Sequence, residues 1–123
     1  MAILDSSAVI DLLAANTRGK KIKERYERDI QATTVFSVHE VLIGETGWRR
    51  EIGRVLLNQL EIFEYDKDAA EKSIEIEEKL RKKGRLINQT DIFIAGICMA
   101  KGMPIITTDA DFKEIEGLKV LMP

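Results

Sequence analysis

The chain has 123 residues, 45% of them hydrophobic and 33% charged, with 21 acids against 19 bases for a net charge of −2. That length and apolar content match one independently folding domain spanning residues 1–123, and the near-balance of charge neither demands nor excludes a nucleic-acid partner. The one cysteine, Cys98, excludes an intrachain disulfide and a cysteine-based zinc site, and no apolar run approaches the roughly 20 residues of a membrane span.

Residues 1–13 carry two aspartates and no basic leader region, so the protein is expected to be soluble and cytoplasmic. Residues 2–4 read as a buried strand. After Asp5, Ser6 or Ser7 caps a helix with Val9, Ile10, Leu12 and Leu13 on its inner face. Residues 17–28 are strongly charged around a thin stripe of Ile22 and Tyr26, which suits a surface helix, and residues 30–36 are β-branched and aromatic enough for a second strand. Ser37 begins a helix through Val38, Val41 and Leu42 that weakens at Gly44 and Gly47, and residues 48–58 continue as a further helix.

A short strand follows at residues 60–65, then the longest helix at 66–83, with Gly84 as its stop. Asp91 opens an apolar helix ended by Gly102 and Pro104; Cys98 lies within it as a small buried hydrophobe. Ile105 and Ile106 form a strand, residues 109–116 a turn and short helix, and residues 119–121 a last strand. Strands alternating with helices imply a three-layer α/β/α sandwich around a central, mostly parallel sheet. There is no internal repeat and no Gly-rich phosphate loop.

Four acids, Asp5, Glu40, Asp91 and Asp109, each sit where a short apolar stretch gives way to a polar or helix-starting segment. In an open α/β sheet, ligands bind beyond the carboxyl ends of the strands, and such junctions line that crevice. Each acid also has an ordinary structural explanation. Asp5 can cap the first helix, and Ser37-Val38-His39-Glu40 fits the reciprocal capping box S-x-x-E. Asp91 can answer the helix dipole, with Thr90 as the cap, while Asp109 and Asp111 can both serve a turn.

Jointly the four mean something else, because carboxylates gathered at one end of a sheet repel one another and raise their own pKa values unless a cation neutralises them. Oxygen donors without cysteine suit Mg²⁺ or Mn²⁺, and a hard cation of this kind activates water against a phosphodiester.

Four stretches, ILDSSAVIDLL (3–13), SVHEVLIG (37–44), TDIFIAGICMAKG (90–102) and TTDADF (107–112), give the chain a resemblance to PIN domains of the VapC toxin type. The resemblance covers nearly the whole chain. It implies a PIN fold, Mg²⁺- or Mn²⁺-dependent cleavage of RNA, a homodimer, and inhibition by a VapB-like antitoxin. It also implies that Asp5, Glu40 and Asp91 are the core metal-coordinating acids, with Asp109 as the fourth, Asp111 in reserve, and Ser6 as a neighbouring polar group.

His39 is read as an exposed structural residue, since a metal-dependent site does not require it. Basic clusters at residues 18–23, at Arg49, Arg50 and Arg54, and at residues 81–85 are interleaved with acids, as solvated surfaces are, though each is also a candidate for holding RNA phosphates. Trp48, Tyr26, Phe36, Phe63 and Phe93 are candidates for stacking on bases, yet with 6% aromatics most are needed for packing, and Trp48 beside two arginines is the one to expect at an interface. Two rival readings remain. One is a PIN-like module that binds RNA or protein without cutting. The other is a haloacid-dehalogenase-like phosphatase using Asp5 as nucleophile, a group that usually wants a second Asp where Ser7 stands.

Overall fold

A computed structural model describes all residues, 1–123. Its strands are β1 (Ala2–Leu4), β2 (Ile30–Thr34), β3 (Glu61–Phe63), β4 (Ile105–Ile106) and β5 (Val120–Leu121). The helices are α1 (Ser6–Ala14), α2 (Thr17–Tyr26), α3 (Val35–Ile43), α4 (Gly47–Asn58), α5 (Lys67–Lys83) and α6 (Gln89–Lys101), with a 3-10 turn at Ala110–Glu114. The sheet is wholly parallel, in the order β3-β2-β1-β4-β5.

Alternation along the strands assigns the layers. Ala2, Leu4 and Ile106 face one side, where Ala8 and Val9 of α1, Ile22 of α2, Val41 of α3 and Leu57 of α4 cover them. Ile3 and Ile105 face the other, against Ala69, Ile76 and Leu80 of α5, the apolar face of α6, and Phe112 and Ile115. Successive side chains of a strand point to opposite faces, so three residues of β1 serve two cores. The result is the three-layer sandwich that the alternating elements imply.

Chain order makes one reversal. From β1 the chain builds outward to β2 and β3, then returns across the sheet to lay β4 on the opposite flank of β1, with Leu4 beside Ile106. A crevice therefore opens at the carboxyl ends of β1 and β4, where ligands of open α/β sheets are held. The residues that continue these two strands are Asp5 and Thr107.

The return depends on α5 and α6 packing tightly, and Gly96 is where they meet. A Cβ on Gly96 would lie 2.6 Å from the Ala69 carbonyl oxygen and 2.9 Å from the Ser73 Cβ, so any larger residue forces the helices apart.

Several boundaries differ from the sequence reading. The second strand stops at Thr34, not at residue 36, and helix α3 begins at Val35, because the Thr34 hydroxyl accepts from the Ser37 N–H at 3.2 Å and caps the helix there. The S-x-x-E pattern at Ser37 is thus not a capping box. Helix α6 starts at Gln89 under an Asn88 cap that accepts from the Thr90 N–H at 2.8 Å, two residues ahead of Asp91, so Thr90 is not the cap. Of the two caps read for α1, the structure takes Asp5 and not Ser6 or Ser7. Gly84 and Gly102 end their helices in the left-handed conformation, φ 66° and 63°, as their placement after each apolar run predicts.

Candidate active site

Asp5 is almost wholly buried, and its two carboxylate oxygens are held separately. Oδ1 accepts from the Ala8 N–H at 3.0 Å and from the Ser7 hydroxyl at 2.8 Å; Oδ2 accepts from the Thr107 hydroxyl at 2.7 Å. The Thr107 oxygen in turn accepts from the Asp109 N–H at 2.9 Å, and the Ser7 oxygen accepts from the Thr108 N–H at 3.2 Å. Ser7 and Thr107 therefore tie the end of β1 to the loop after β4 across the crevice. Ser6, expected beside Asp5, instead donates to the Ser37 hydroxyl at 3.1 Å and joins the start of α1 to the start of α3.

That second link sets the position of Glu40. Ser37 is fully buried, and Glu40 lies three residues further along α3, so the Ser6–Ser37 contact fixes the turn of helix below the Glu40 carboxylate. Glu40 is exposed and serves no cap. Asp91 is half-buried in the first turn of α6. Asp109 caps the 3-10 turn by accepting from the Asp111 N–H at 2.9 Å, while Asp111 is exposed.

The other acids bear electrostatically on Asp91. Burial pushes the Asp91 carboxyl up to about 7, and the negative charges of Asp109, Asp5, Glu40 and Asp111 add to the shift in that order. Burial also raises Asp5, against the lowering effect of its bonds from Ala8, Thr107 and Ser7, with Asp109 raising it further. Asp109 acts on both, whereas Asp111 acts only on Asp91. No three of the acids lie close enough together to form a ready-made metal-binding group. The donor chemistry nonetheless fits a hard divalent cation: oxygen ligands only, with a summed negative charge that already disfavours ionisation of one member.

The raised Asp91 has a consequence for the metal-free protein. Its folded pKa, about 7, lies above the unfolded carboxylate value of about 3.9. The folded state therefore binds more protons between those values, and stability is lost as pH rises through about 7. In EDTA the melting temperature should fall between pH 5.5 and 8, the fall should be smaller in Asp91→Asn, and Mg²⁺ or Mn²⁺ should reverse it at pH 8. Equal slopes for the wild type and Asp91→Asn by thermal scanning would show that Asp91 does not carry the effect.

The remaining expected residues are placed as follows. His39 is exposed. Arg18 pairs with Asp11, Arg49 with Glu45, Arg54 with Glu51, Arg81 with Glu77 and Arg85 with Glu114, so much of the basic surface is spent on neighbouring acids. Trp48 is 69% exposed, with the Arg49 guanidinium 5.6 Å from its ring centroid. It borders a cavity of about 300 Å³ lined by Ile10, Leu13, Val41 and Ile52, with Glu40 and Glu45 also on its wall. Burial pushes the Cys98 thiol up to about 12, which leaves it inert. Sequence reading missed Ser7 and Thr107. Their signal was their position beside Asp5 and Asp109, and a hydroxyl residue in such a place is too common to single out.

A family model for the PIN domain matches residues 2–118. Ribonuclease VapC5 of Mycobacterium tuberculosis (strain ATCC 25618 / H37Rv) is 29% identical over 122 residues, which cover 94% of this chain and 87% of the relative. Among solved structures, a toxin–antitoxin complex from Klebsiella pneumoniae superposes with a TM-score of 0.81 at 23% identity, covering 100% of this chain and 98% of the other. Mycobacterium tuberculosis VapC20, a sarcin-ricin loop cleaving toxin, gives 0.76 at 16% identity, with 100% of each chain covered. Both likenesses extend over the β1/β4 crevice and the helices that bear the acids.

Proposed function

Because the chain belongs to the PIN-domain family, we propose that it is an endoribonuclease of the VapC toxin type, in which Asp5, Glu40, Asp91 and Asp109 hold Mg²⁺ or Mn²⁺. The observation that carries this reading is Asp91, a carboxyl raised to about 7 by burial and by four surrounding acids. A charge so disfavoured is one that a cation would stabilise. Asp109 takes the fourth place ahead of Asp111, since it bears on Asp5 as well as Asp91 and its backbone is tied to Thr107.

When bound, the ion supplies positive charge that eases deprotonation of the attacking water and offsets the charge growing on the phosphate oxygens. The chain's own residues prepare that step. Ser7, Thr107 and the Ala8 N–H fix the Asp5 carboxylate in one orientation, so its geometry is set before substrate arrives. Asp91 and Glu40, free of such bonds, are the adjustable members, and Asp91 gives up its carboxyl proton as it takes its place. Cleavage should consequently weaken below pH 7, where protons compete at Asp91.

The phosphatase reading wants a second Asp two residues after Asp5, and the residue there is Ser7, whose hydroxyl donates to Asp5. The binding-only reading draws support from one observation, the absence of a ready-made group of three metal-binding acids. Purified, partner-free protein incubated with single-stranded and structured RNA in Mg²⁺ or Mn²⁺, beside EDTA, separates the two. Metal-dependent cutting is expected. A folded protein that binds RNA equally well in chelator and cuts none of it would favour the binding module.

A VapB-like antitoxin and a homodimer belong to the same proposal, as does a cytoplasmic location; no helix is long and apolar enough to cross a membrane. The cavity beside Trp48 suits the antitoxin. Ile10, Ile52 and Trp48 are exposed around it, and Glu40 stands on its wall beside the Glu45–Arg49 pair, so an amphipathic helix carrying a basic side chain for Glu40 would match both characters. Co-purification with a small basic partner is the check.

A further inference from the structure

We propose that Phe93, backed by Phe36 and Tyr65, is the platform on which an unpaired base of the RNA substrate stacks beside the acidic cleft, an inference that rests on the nuclease reading. The three rings form a compact group. The Phe36 and Phe93 centroids are 5.6 Å apart with the planes 30° from parallel, Tyr65 and Phe93 are 4.8 Å apart, and Tyr65 meets Phe36 edge-on at 5.6 Å.

The rings are not equivalent. Phe36 and Tyr65 pack against the buried core under α5 and α6, and the Tyr65 hydroxyl lies 2.5 Å from that of Ser73. Phe93 is half-buried and rests on these two rings, not on that core. Its support is thus rigid, while part of its own surface is left to solvent. A fixed aromatic face with part of its surface open to solvent is what a nucleobase stacks on.

Position relative to the acids gives the platform its use. Phe36 precedes Glu40 by four residues on α3, so the two share a helix face. Phe93 follows Asp91 by two residues on α6, a step of about 200° around the helix. Asp91 accordingly turns to Asp5 and Asp109 at β1 and β4, and Phe93 turns to Phe36 and to Tyr65 just beyond β3. The two helices that bring Glu40 and Asp91 to the cleft bring the rings to its β2/β3 side. A strand with its phosphate at the acids would lay a neighbouring base on Phe93. A base held in a duplex is already stacked on its neighbours, so the platform selects unpaired RNA.

The test compares wild type with Phe93→Leu, which keeps apolar bulk without a π face, and Phe93→Trp, which keeps the face. Binding is measured by fluorescence anisotropy in the Asp91→Asn background, using a labelled single-stranded RNA and the same strand annealed to its complement. KM for cleavage is measured in the protein with Asp91 intact. Phe93→Leu should weaken binding of the single strand, and raise its KM, by about ten- to a hundredfold, with the duplex much less affected and Phe93→Trp restoring the single strand. Equal loss on both RNAs, or no loss, would overturn the platform, and so would a change from dimer to monomer in Phe93→Leu by light scattering, which would make this face a subunit contact. Failure of the wild type to cut any RNA would instead strike the nuclease reading, and the binding comparison would still decide the role of Phe93.

Discussion

Asp91→Asn protein should cleave RNA at least about a thousandfold more slowly than the wild type, and above pH 7 in metal-free buffer it should melt at a higher temperature. The loss is what the proposed metal site requires: a metal contributes several kcal/mol to such a transition state, and about 4 kcal/mol corresponds to three orders of magnitude. The gain in stability has the same source. Asp91 is ionised at pH 8 only against its burial and the charges of Asp109, Asp5, Glu40 and Asp111, and the neutral amide removes that repulsion. A purely structural aspartate would lose stability when changed, so opposite movement of activity and melting temperature marks a functional residue.

Asp5→Asn should also abolish cleavage, but it is a less clean probe. The Thr107 hydroxyl donates to Asp5 Oδ2 while accepting from the Asp109 N–H, so an amide nitrogen in that place would face a group with its proton turned towards it. Cleavage kinetics and thermal scans of both variants are the measurements. Retained activity in both would refute the assignment of the acids.

Thr107→Val should cost about 3 kcal/mol of stability, while Thr107→Ser should cost less than about 1 kcal/mol. Threonine and valine have the same shape, and Thr107 is fully buried, so the valine change removes one hydroxyl and little else. It leaves Asp5 Oδ2 without its donor and the Asp109 N–H without its acceptor, two losses of about 1–3 kcal/mol each in buried surroundings. Outer partners of metal-binding carboxylates typically matter by about 10–100-fold in affinity or rate. Mn²⁺ affinity by calorimetry should drop by that amount in Thr107→Val and recover in Thr107→Ser. Near-native stability and affinity in Thr107→Val would show that the crevice does not need this bridge.

The layers and the parallel sheet were legible because each element carries its own local pattern. The buried apolar run Ala2 to Leu4 and the stops at Gly84 and Gly102 rest on neighbours in sequence, and the structure places them as read. The errors arose where two local signals competed. Thr34 and Ser37 are both good caps, and only the depth at which β2 ends decides for Thr34. Asn88 and Thr90 compete in the same way.

For the proposed site, the sequence offered the acids one by one, and which of them lie near one another depends on topology. What a linear chain could not display was the hydroxyl bridge, since Ser7 and Thr107 are 100 residues apart and meet only because β4 returns to β1. The sequence offered five aromatic residues for base stacking without ranking Phe93 above the others. Composition says that aromatic residues fill cores, but it cannot say which ring of a group lies outermost.

That return of β4 also bears on synthesis. Ile3 pairs with Ile105 and Leu4 with Ile106, so the first strand waits about a hundred residues for its second neighbour. Closing a loop of that length is costly, and a domain generally folds as a unit rather than strand by strand as it is made. A nascent chain halted before β4 already carries Asp5, Glu40 and Asp91, but it has no crevice to hold them and no Thr107 to orient the first. On the proposed assignment, the acids can form a site only when translation is nearly finished.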